Sequence, residues 1–113
     1  MFGRVFVDIC GKKKVSGKGG KKYMLLIYDD YSRFMWVHFL RSKGETMVYF
    51  KQYLSDVRAT GTPSTVEIVR SDQGGGFSKR NFPKMCRDRN IRQEFTTADS
   101  PELTVLRSFA LQW

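Results

Sequence analysis

The sequence has few potential metal ligands of the kind that bind structural zinc, with only two cysteines, Cys10 and Cys86, and one histidine, His38. A structural zinc site needs four Cys or His ligands at close spacing, so this composition excludes one. Each cysteine lies inside an apolar segment, and we expect both to be reduced core thiols rather than disulfide partners. His38 alternates with apolar neighbours, and we interpret it as structural.

Long apolar runs are also lacking. The longest, Tyr23–Tyr28, is far shorter than the roughly 20 residues that span a bilayer, so we expect no membrane segment. The first residues do not have the pattern of a signal peptide, and no segment is repeated. The length of 113 residues, with 41% hydrophobic and 14% aromatic content, indicates one folded domain with its own core.

Acidic residues are scarce: 11 Asp and Glu face 20 Lys and Arg, for a net charge of +9. Most of the excess lies in residues 1–22, which carry seven cations against Asp8 alone, or +6. Such a local asymmetry favours a polyanionic partner, most simply nucleic acid, although a solvated hairpin loop explains the same pattern. The candidate nucleic-acid-binding residues are Lys12, Lys13, Lys14, Lys18, Lys21 and Lys22.

Apolar runs and chain breakers predict three strands, then a helix, and then strands and helices in alternation. Ser42 and Glu45 fit a capping box at the start of the first helix, and Pro83 delays the second helix to about Asn81. The predicted strands are Arg4–Cys10, Tyr23–Asp29, Phe34–Leu40, Thr65–Arg70 and Ile91–Phe95, and the predicted helices end near Gly61, Arg89 and Trp113.

This order predicts an α/β fold with a five-stranded mixed sheet and helices packed on it, the ribonuclease H-like arrangement. If the fourth strand lies beside the first, Asp8 and Asp72 come close together. A carboxylate beside a core strand is costly unless something neutralises it, so the pair suggests a binding site for Mg²⁺ or Mn²⁺. Such a site would serve phosphoryl transfer on nucleic acid. A solvated strand end at Asp8 and a simple turn at Asp72 are the alternatives.

Several separate motifs occur in order from about Val5 to Leu111. They are Val7–Gly11, Asp29–Arg33, Trp36, Leu40, Val69–Gly75, Ile91–Thr96 and Asp99–Pro101. Together they resemble the integrase catalytic core of copia-type LTR retrotransposons, a branch of the retroviral integrase superfamily.

The resemblance implies that Asp8 and Asp72 are the first two members of an Asp-Asp-Glu triad. In that family the triad binds two Mg²⁺ or Mn²⁺ ions, which serve to trim DNA 3′ ends and join them to target DNA. The resemblance further implies element ends and target DNA as partners, an intracellular and nuclear location, and a possible homo-oligomer.

The sequence departs from the family pattern where the third carboxylate is expected. Alignment without gaps puts that glutamate on Ser108, and a two-residue deletion puts it on Leu106, so we predict no third catalytic acid. At the second aspartate, Gln73 and Gly76 stand where the family has Asn and Glu. The chain also lacks the family's zinc-binding N-terminal region and C-terminal extension, so we expect residues 1–113 to be a C-terminally incomplete catalytic core.

The residues leave three readings open. The first is an integrase core with impaired catalysis, the second a non-catalytic nucleic-acid-binding remnant of a retrotransposon polyprotein. The third is a fragment without function.

Overall fold

The computed structural model describes residues 3–11, 23–59, 66–73, 77–78, 81–97 and 100–111. Three features of the sequence lie outside these residues. They are the six lysines at positions 12–22, here called the lysines of the basic segment, the glycine run at 74–76, and the predicted end of the first helix near Gly61. The strands are β1 (Gly3–Cys10), β2 (Tyr23–Asp29), β3 (Met35–Leu40), β4 (Val66–Asp72) and β5 (Arg92–Thr96), and the helices are α1 (Thr46–Ala59), α2 (Asn81–Asp88) and α3 (Pro101–Leu111).

The strands form one mixed sheet in the order β3-β2-β1-β4-β5. β1, β2 and β3 pair antiparallel, whereas β4 pairs in parallel with both β1 and β5. The predicted five-stranded mixed sheet is therefore confirmed, including the neighbouring positions of the first and fourth strands. β4 continues beyond the predicted Arg70 to Asp72, so Asp72 is a strand residue rather than part of a turn.

The turn between β2 and β3 is held by the Asp29 carboxylate. It accepts hydrogen bonds from the Tyr31 backbone N–H at 3.0 Å and from the Ser32 hydroxyl at 2.8 Å. Arg33 takes a positive φ of 67° and donates its backbone N–H to the Asp29 carbonyl. Aspartate and serine favour turns of this kind because their side chains bond locally to the backbone.

The start of α1 differs from the predicted capping box. Ser42 makes no side-chain capping bond, and Glu45 Oε1 instead accepts the backbone N–H of Arg41 at 2.8 Å. A short 3₁₀ turn, Lys43–Glu45, precedes the helix, and the Thr46 hydroxyl donates to the Lys43 carbonyl. Glutamate therefore reaches one residue further back than a capping box requires, and the α-helix itself begins only at Thr46.

Alternation along the central strands gives the sheet two apolar faces. The face covered by α1 and α2 is the larger, and Phe50 and Tyr53 of α1 are its largest fully buried side chains. Phe50 packs against Phe82 of α2, with ring centroids 5.3 Å apart. The strand residues buried in this cluster are Val5, Val7, Leu25, Ile27, Leu40 and Val69.

The opposite face is covered by α3. Leu103 and Leu106 of this helix are buried against Phe6, Met24 and Leu26 of the first two strands. Because this face also carries the side chain two residues beyond Phe6, it is the face on which Asp8 lies.

Both cysteines are thiols, Cys86 in the core and Cys10 partly buried, as expected. His38 stacks on Tyr49 of α1, with ring centroids 5.0 Å apart. Its Nε2 is buried and has no hydrogen-bond partner among the described residues. Burial lowers the pKa of His38, and the charge of Asp56 opposes this to a smaller degree. The histidine is therefore held neutral and structural.

We expect His38 to make the fold less stable in acid. Because its folded pKa is lowered, the unfolded chain takes up the proton first, so stability is lost as pH falls below about 6.5. Urea unfolding at pH 7.5 and 5.0 should show a smaller loss of unfolding free energy in His38→Phe than in the wild type. An equal loss in both proteins would contradict this assignment.

Candidate active site

Asp8 and Asp72 occupy matching positions on the two parallel strands at the centre of the sheet. The register of β1 and β4 pairs Phe6 with Arg70, and each aspartate lies two residues further along its strand. Side chains two residues apart share a face, so both carboxylates project toward the side of the sheet that α3 covers. Asp8 is buried, with 4% of its surface exposed, and Asp72 is half-buried.

α3 is positioned over this face by its N-terminus and its apolar stripe. Ser100 precedes the helix and is buried; its hydroxyl accepts the Leu103 N–H at 3.4 Å, as an N-cap does, and Pro101 occupies the first helical position. Leu103 and Leu106 then anchor the helix in the core. The next residue, Arg107, lies one turn after Leu103 and therefore also faces the sheet.

The Arg107 guanidinium joins the two aspartates. Its Nε donates to Asp8 Oδ2 at 2.8 Å and its Nη2 to Asp8 Oδ1 at 3.2 Å, a bidentate contact. The same Nη2 donates to Asp72 Oδ2 at 2.9 Å. One nitrogen atom thus lies within hydrogen-bond distance of both carboxylates, so the two aspartates converge on a single cation.

Burial and the charge of Arg107 shift the pKa of Asp8 in opposite directions. Burial raises the pKa of Asp8, an effect that the hydrogen bonds and charge of Arg107 reduce and that the nearby charge of Asp72 adds to. The hydrogen bond to Asp8 in turn raises the pKa of Arg107. A buried carboxylate beside a second one needs a cation, and Arg107 supplies it here.

The two positions at which alignment placed the third acid do not face the aspartates. Leu106 is 1% exposed and packs in the core, and Ser108 is exposed, with its hydroxyl donating to the Thr104 carbonyl. The described residues contain no group of three or more His, Cys, Asp or Glu side chains that could hold a metal ion.

Sequence reasoning missed the role of Arg107. A signal was present, because the helical spacing of Leu103, Leu106 and Arg107 puts the arginine on the same face as the leucines. Its partner Asp8 lies 99 residues away in the chain, a pairing that local pattern cannot identify.

A five-stranded mixed sheet with aspartates on two adjacent parallel strands defines the ribonuclease H-like class. The chain belongs to the integrase core domain family, whose model matches residues 1–101. This match includes both aspartates and ends before Arg107.

No helix within the part of the chain that the structure describes has the length and apolar character to cross a membrane.

Two curated relatives are polyproteins. The chain is 34% identical over 99 residues to the retrovirus-related Pol polyprotein from transposon TNT 1-94 of Nicotiana tabacum, which covers 87% of this chain and 7% of the relative. It is 26% identical over 101 residues to the Pro-Pol polyprotein of feline foamy virus, covering 89% of this chain and 8% of that relative. The chain thus spans less than a tenth of the length of these relatives.

Solved structures support the fold. The HTLV-2 integrase catalytic core domain in complex with magnesium, in its trimeric form, superposes with a TM-score of 0.69 at 15% identity, covering 95% of this chain and 64% of that one. The dimeric form of the same domain gives a TM-score of 0.68 at the same identity and coverage. At this level of identity, the likeness establishes the fold alone.

Proposed function

We propose that this chain is the polynucleotidyl transferase core of a copia-type retrotransposon polyprotein, associated with DNA integration and nucleic-acid binding. Asp8 and Asp72 are its catalytic and metal-binding residues, and the lack of a third acidic ligand beside them among the described residues impairs it. The element's DNA ends and target DNA are its partners, in the nucleus. A homo-oligomer is part of this proposal, because the HTLV-2 domain that shares the fold has dimeric and trimeric forms.

The observation that carries the proposal is the convergence of two strand-end carboxylates on one cation. Both aspartates lie within residues 1–101, the part of the chain that matches the integrase core family. Two aspartates that are simply solvated at strand ends need not contact the same cation, whereas two ligands of one metal ion must point to the same place. Their contacts with Arg107, at 2.8 to 3.2 Å, meet that requirement.

The donor set suits a hard divalent cation, although incompletely. Carboxylate oxygens are the ligands that Mg²⁺ and Mn²⁺ prefer, and Asp8 and Asp72 would supply one or two each. A bound ion would polarise the phosphate and activate the attacking water or hydroxyl. The aspartates would orient it, and the walls around Asp8, which is 4% exposed, would limit access of water to that carboxylate.

We expect weak Mn²⁺ binding that depends on both aspartates. Removing one carboxylate from a two-carboxylate site should lower affinity by roughly tenfold or more, since affinity follows ligand charge. Isothermal titration of Mn²⁺ into the wild type, Asp8→Asn and Asp72→Asn measures this. Asp88→Asn is the matched control, because it makes the same exchange at an exposed carboxylate paired with Lys84. Unchanged binding in both active-site variants would rule out this metal site.

DNA binding should depend on the basic segment and fall steeply with salt. Each phosphate contact that a lysine makes contributes close to one unit to the slope of log affinity against log salt, through counterion release. Replacing Lys12, Lys13 and Lys14 with alanine should therefore flatten the slope by about 1 to 3 units. Fluorescence anisotropy with a duplex at several salt concentrations measures the slope.

The control for this experiment removes the same charge elsewhere. Alanine at Lys43, Lys51 and Lys84, which are exposed, should leave most of the slope intact. Equal flattening in both triple variants would show that only net charge matters, and the segment would then be a solvated loop.

The second candidate is a non-catalytic nucleic-acid-binding remnant. It is favoured by one observation, the arginine that lies between the two aspartates where a metal-dependent enzyme needs a free cleft. The metal titration separates the two candidates, since the remnant keeps its DNA affinity without any metal binding at Asp8 and Asp72.

A further inference from the structure

We propose that Arg107 is the internal counter-ion of the Asp8–Asp72 pair and competes with a divalent cation for it. This inference rests on the proposed function, because it takes the two aspartates to be metal ligands. It adds a residue from outside the matched family region, which ends at residue 101, and it gives that residue a role in metal affinity.

The geometry makes the two cations mutually exclusive. Arg107 already engages both oxygens of Asp8 and Oδ2 of Asp72. Its nitrogen-to-oxygen distances are 2.8 to 3.2 Å, whereas Mg²⁺ needs oxygens at about 2.1 Å. An ion bound by both carboxylates therefore requires that the guanidinium leave and that the carboxylates close on a smaller cation.

Arg107 stays positively charged, so its competition with a metal ion depends only on which of the two cations lies between the aspartates. A guanidinium stays protonated throughout the accessible pH range, and a bidentate contact with a carboxylate is among the stronger ionic hydrogen bonds. Asp8, with 5% of its side chain exposed, needs a counter-charge in either state. Loss of the arginine is therefore compensated by an ion, and loss of the ion by the arginine.

The Arg107 side chain reaches solvent, so it has room to turn away from the aspartates. Its side chain is 36% exposed, and α3 is also anchored in the core by the buried Leu103 and Leu106. Displacement therefore breaks the hydrogen bonds with the aspartates while the apolar contacts of α3 remain.

The purely structural reading is an ion pair that holds α3 to the sheet. It predicts that Arg107→Gln lowers stability and leaves metal affinity unchanged. Competition predicts instead that Arg107→Gln, which keeps a similar polar side chain without charge, binds Mn²⁺ at least tenfold more tightly than the wild type. Arg107→Lys retains a cation and should remain within a fewfold of the wild type.

Isothermal titration with Mn²⁺ measures the affinity of each protein for the ion. Thermal melts in Mn²⁺ and in EDTA measure how much the bound ion stabilises each protein. The melting temperature of Arg107→Gln should be below that of the wild type in EDTA and should rise more than the wild type's on adding Mn²⁺. Equal Mn²⁺ affinity in the two proteins would overturn the competition while leaving the proposed metal site intact. Absence of binding in every variant, Arg107→Gln included, would overturn both.

A second measurement uses the unmodified chain, so it does not depend on whether a variant folds. The Nε–H signal of Arg107 in ¹⁵N NMR should be protected from exchange in EDTA and should lose that protection when Mg²⁺ saturates the site. A protected signal that persists while Mg²⁺ shifts the Asp8 and Asp72 resonances would show that both cations bind together, and the inference would fail.

Discussion

No joining of a DNA 3′ end to a target duplex is expected from the 113-residue chain in Mg²⁺ or Mn²⁺. A two-ion mechanism places about four positive charges against the phosphate, and three carboxylates normally balance them. With Asp8 and Asp72 as the proposed ligands and no third acid beside them among the described residues, the second ion would be poorly held, and the attacking or leaving oxygen would lose its stabilisation. Loss of one such electrostatic partner typically lowers the rate on the order of a hundredfold or more.

A gel assay with labelled DNA ends and a target duplex measures joining. Robust joining by the unmodified chain would overturn the proposal that the core is impaired.

Three glutamate substitutions test where a third carboxylate is effective. Arg107→Glu places it against the two aspartates and removes the competing cation, so it should give the largest stabilisation by Mn²⁺ and the best chance of measurable joining. Leu106→Glu puts a charge at a core position that is 1% exposed and should unfold the chain. Ser108→Glu should be close to neutral because Ser108 is exposed. Joining restored by Ser108→Glu and not by Arg107→Glu would show that α3 sits differently on the sheet.

Truncation of Phe50 to alanine is expected to bring the chain close to unfolding. Phe50 of α1 is fully buried. The centroid of its ring lies 5.3 Å from that of Phe82 in α2 and 5.8 Å from that of Tyr53 in α1. Removing a buried phenyl ring costs about 3–5 kcal/mol, a large share of the 5–15 kcal/mol typical of a domain. Urea unfolding followed by circular dichroism measures the difference in free energy.

The matched control is Val48→Ala, a truncation two residues away on the same helix. Val48 is 62% exposed, so this change should alter the unfolding free energy by no more than about 0.5 kcal/mol. Equal losses in the two variants would mean that the core around Phe50 is not packed as the structure has it. A cooperative transition of ordinary stability in the wild type would also contradict the third alternative, in which the chain is a marginally folded fragment without function.

Much of the fold follows from local pattern. Apolar runs bounded by chain breakers predicted all five strands, and the helical crossovers required β4 and β5 to be parallel to their neighbours. The predicted first helix is present as α1, and its Phe50 and Tyr53 are both buried. These features are predictable because burial of one face imposes a period on the residues of each element.

Local pattern failed where two competing hydrogen-bond arrangements have similar energies. Ser42 and Glu45 fit a capping box by sequence, yet Glu45 bonds to Arg41 and the chain makes a 3₁₀ turn first. Helix starts depend on one or two hydrogen bonds, which is too little energy for composition to decide between them. The same limit applies to the end of β4, which the sequence placed at Arg70 and the structure places at Asp72.

The sequence by itself determined that Asp8 and Asp72 stand at or just beyond the ends of two apolar strands, and the order of strands and helices favoured placing those strands side by side. Only the tertiary structure decided which residue of α3 meets them. Leu106 and Ser108 were the positions that alignment proposed, and packing of Leu103 and Leu106 into the core turns Arg107 toward the carboxylates instead. The rotation of a helix about its axis is set by the apolar side chains that it buries, and that information lies in the partner surface as much as in the helix.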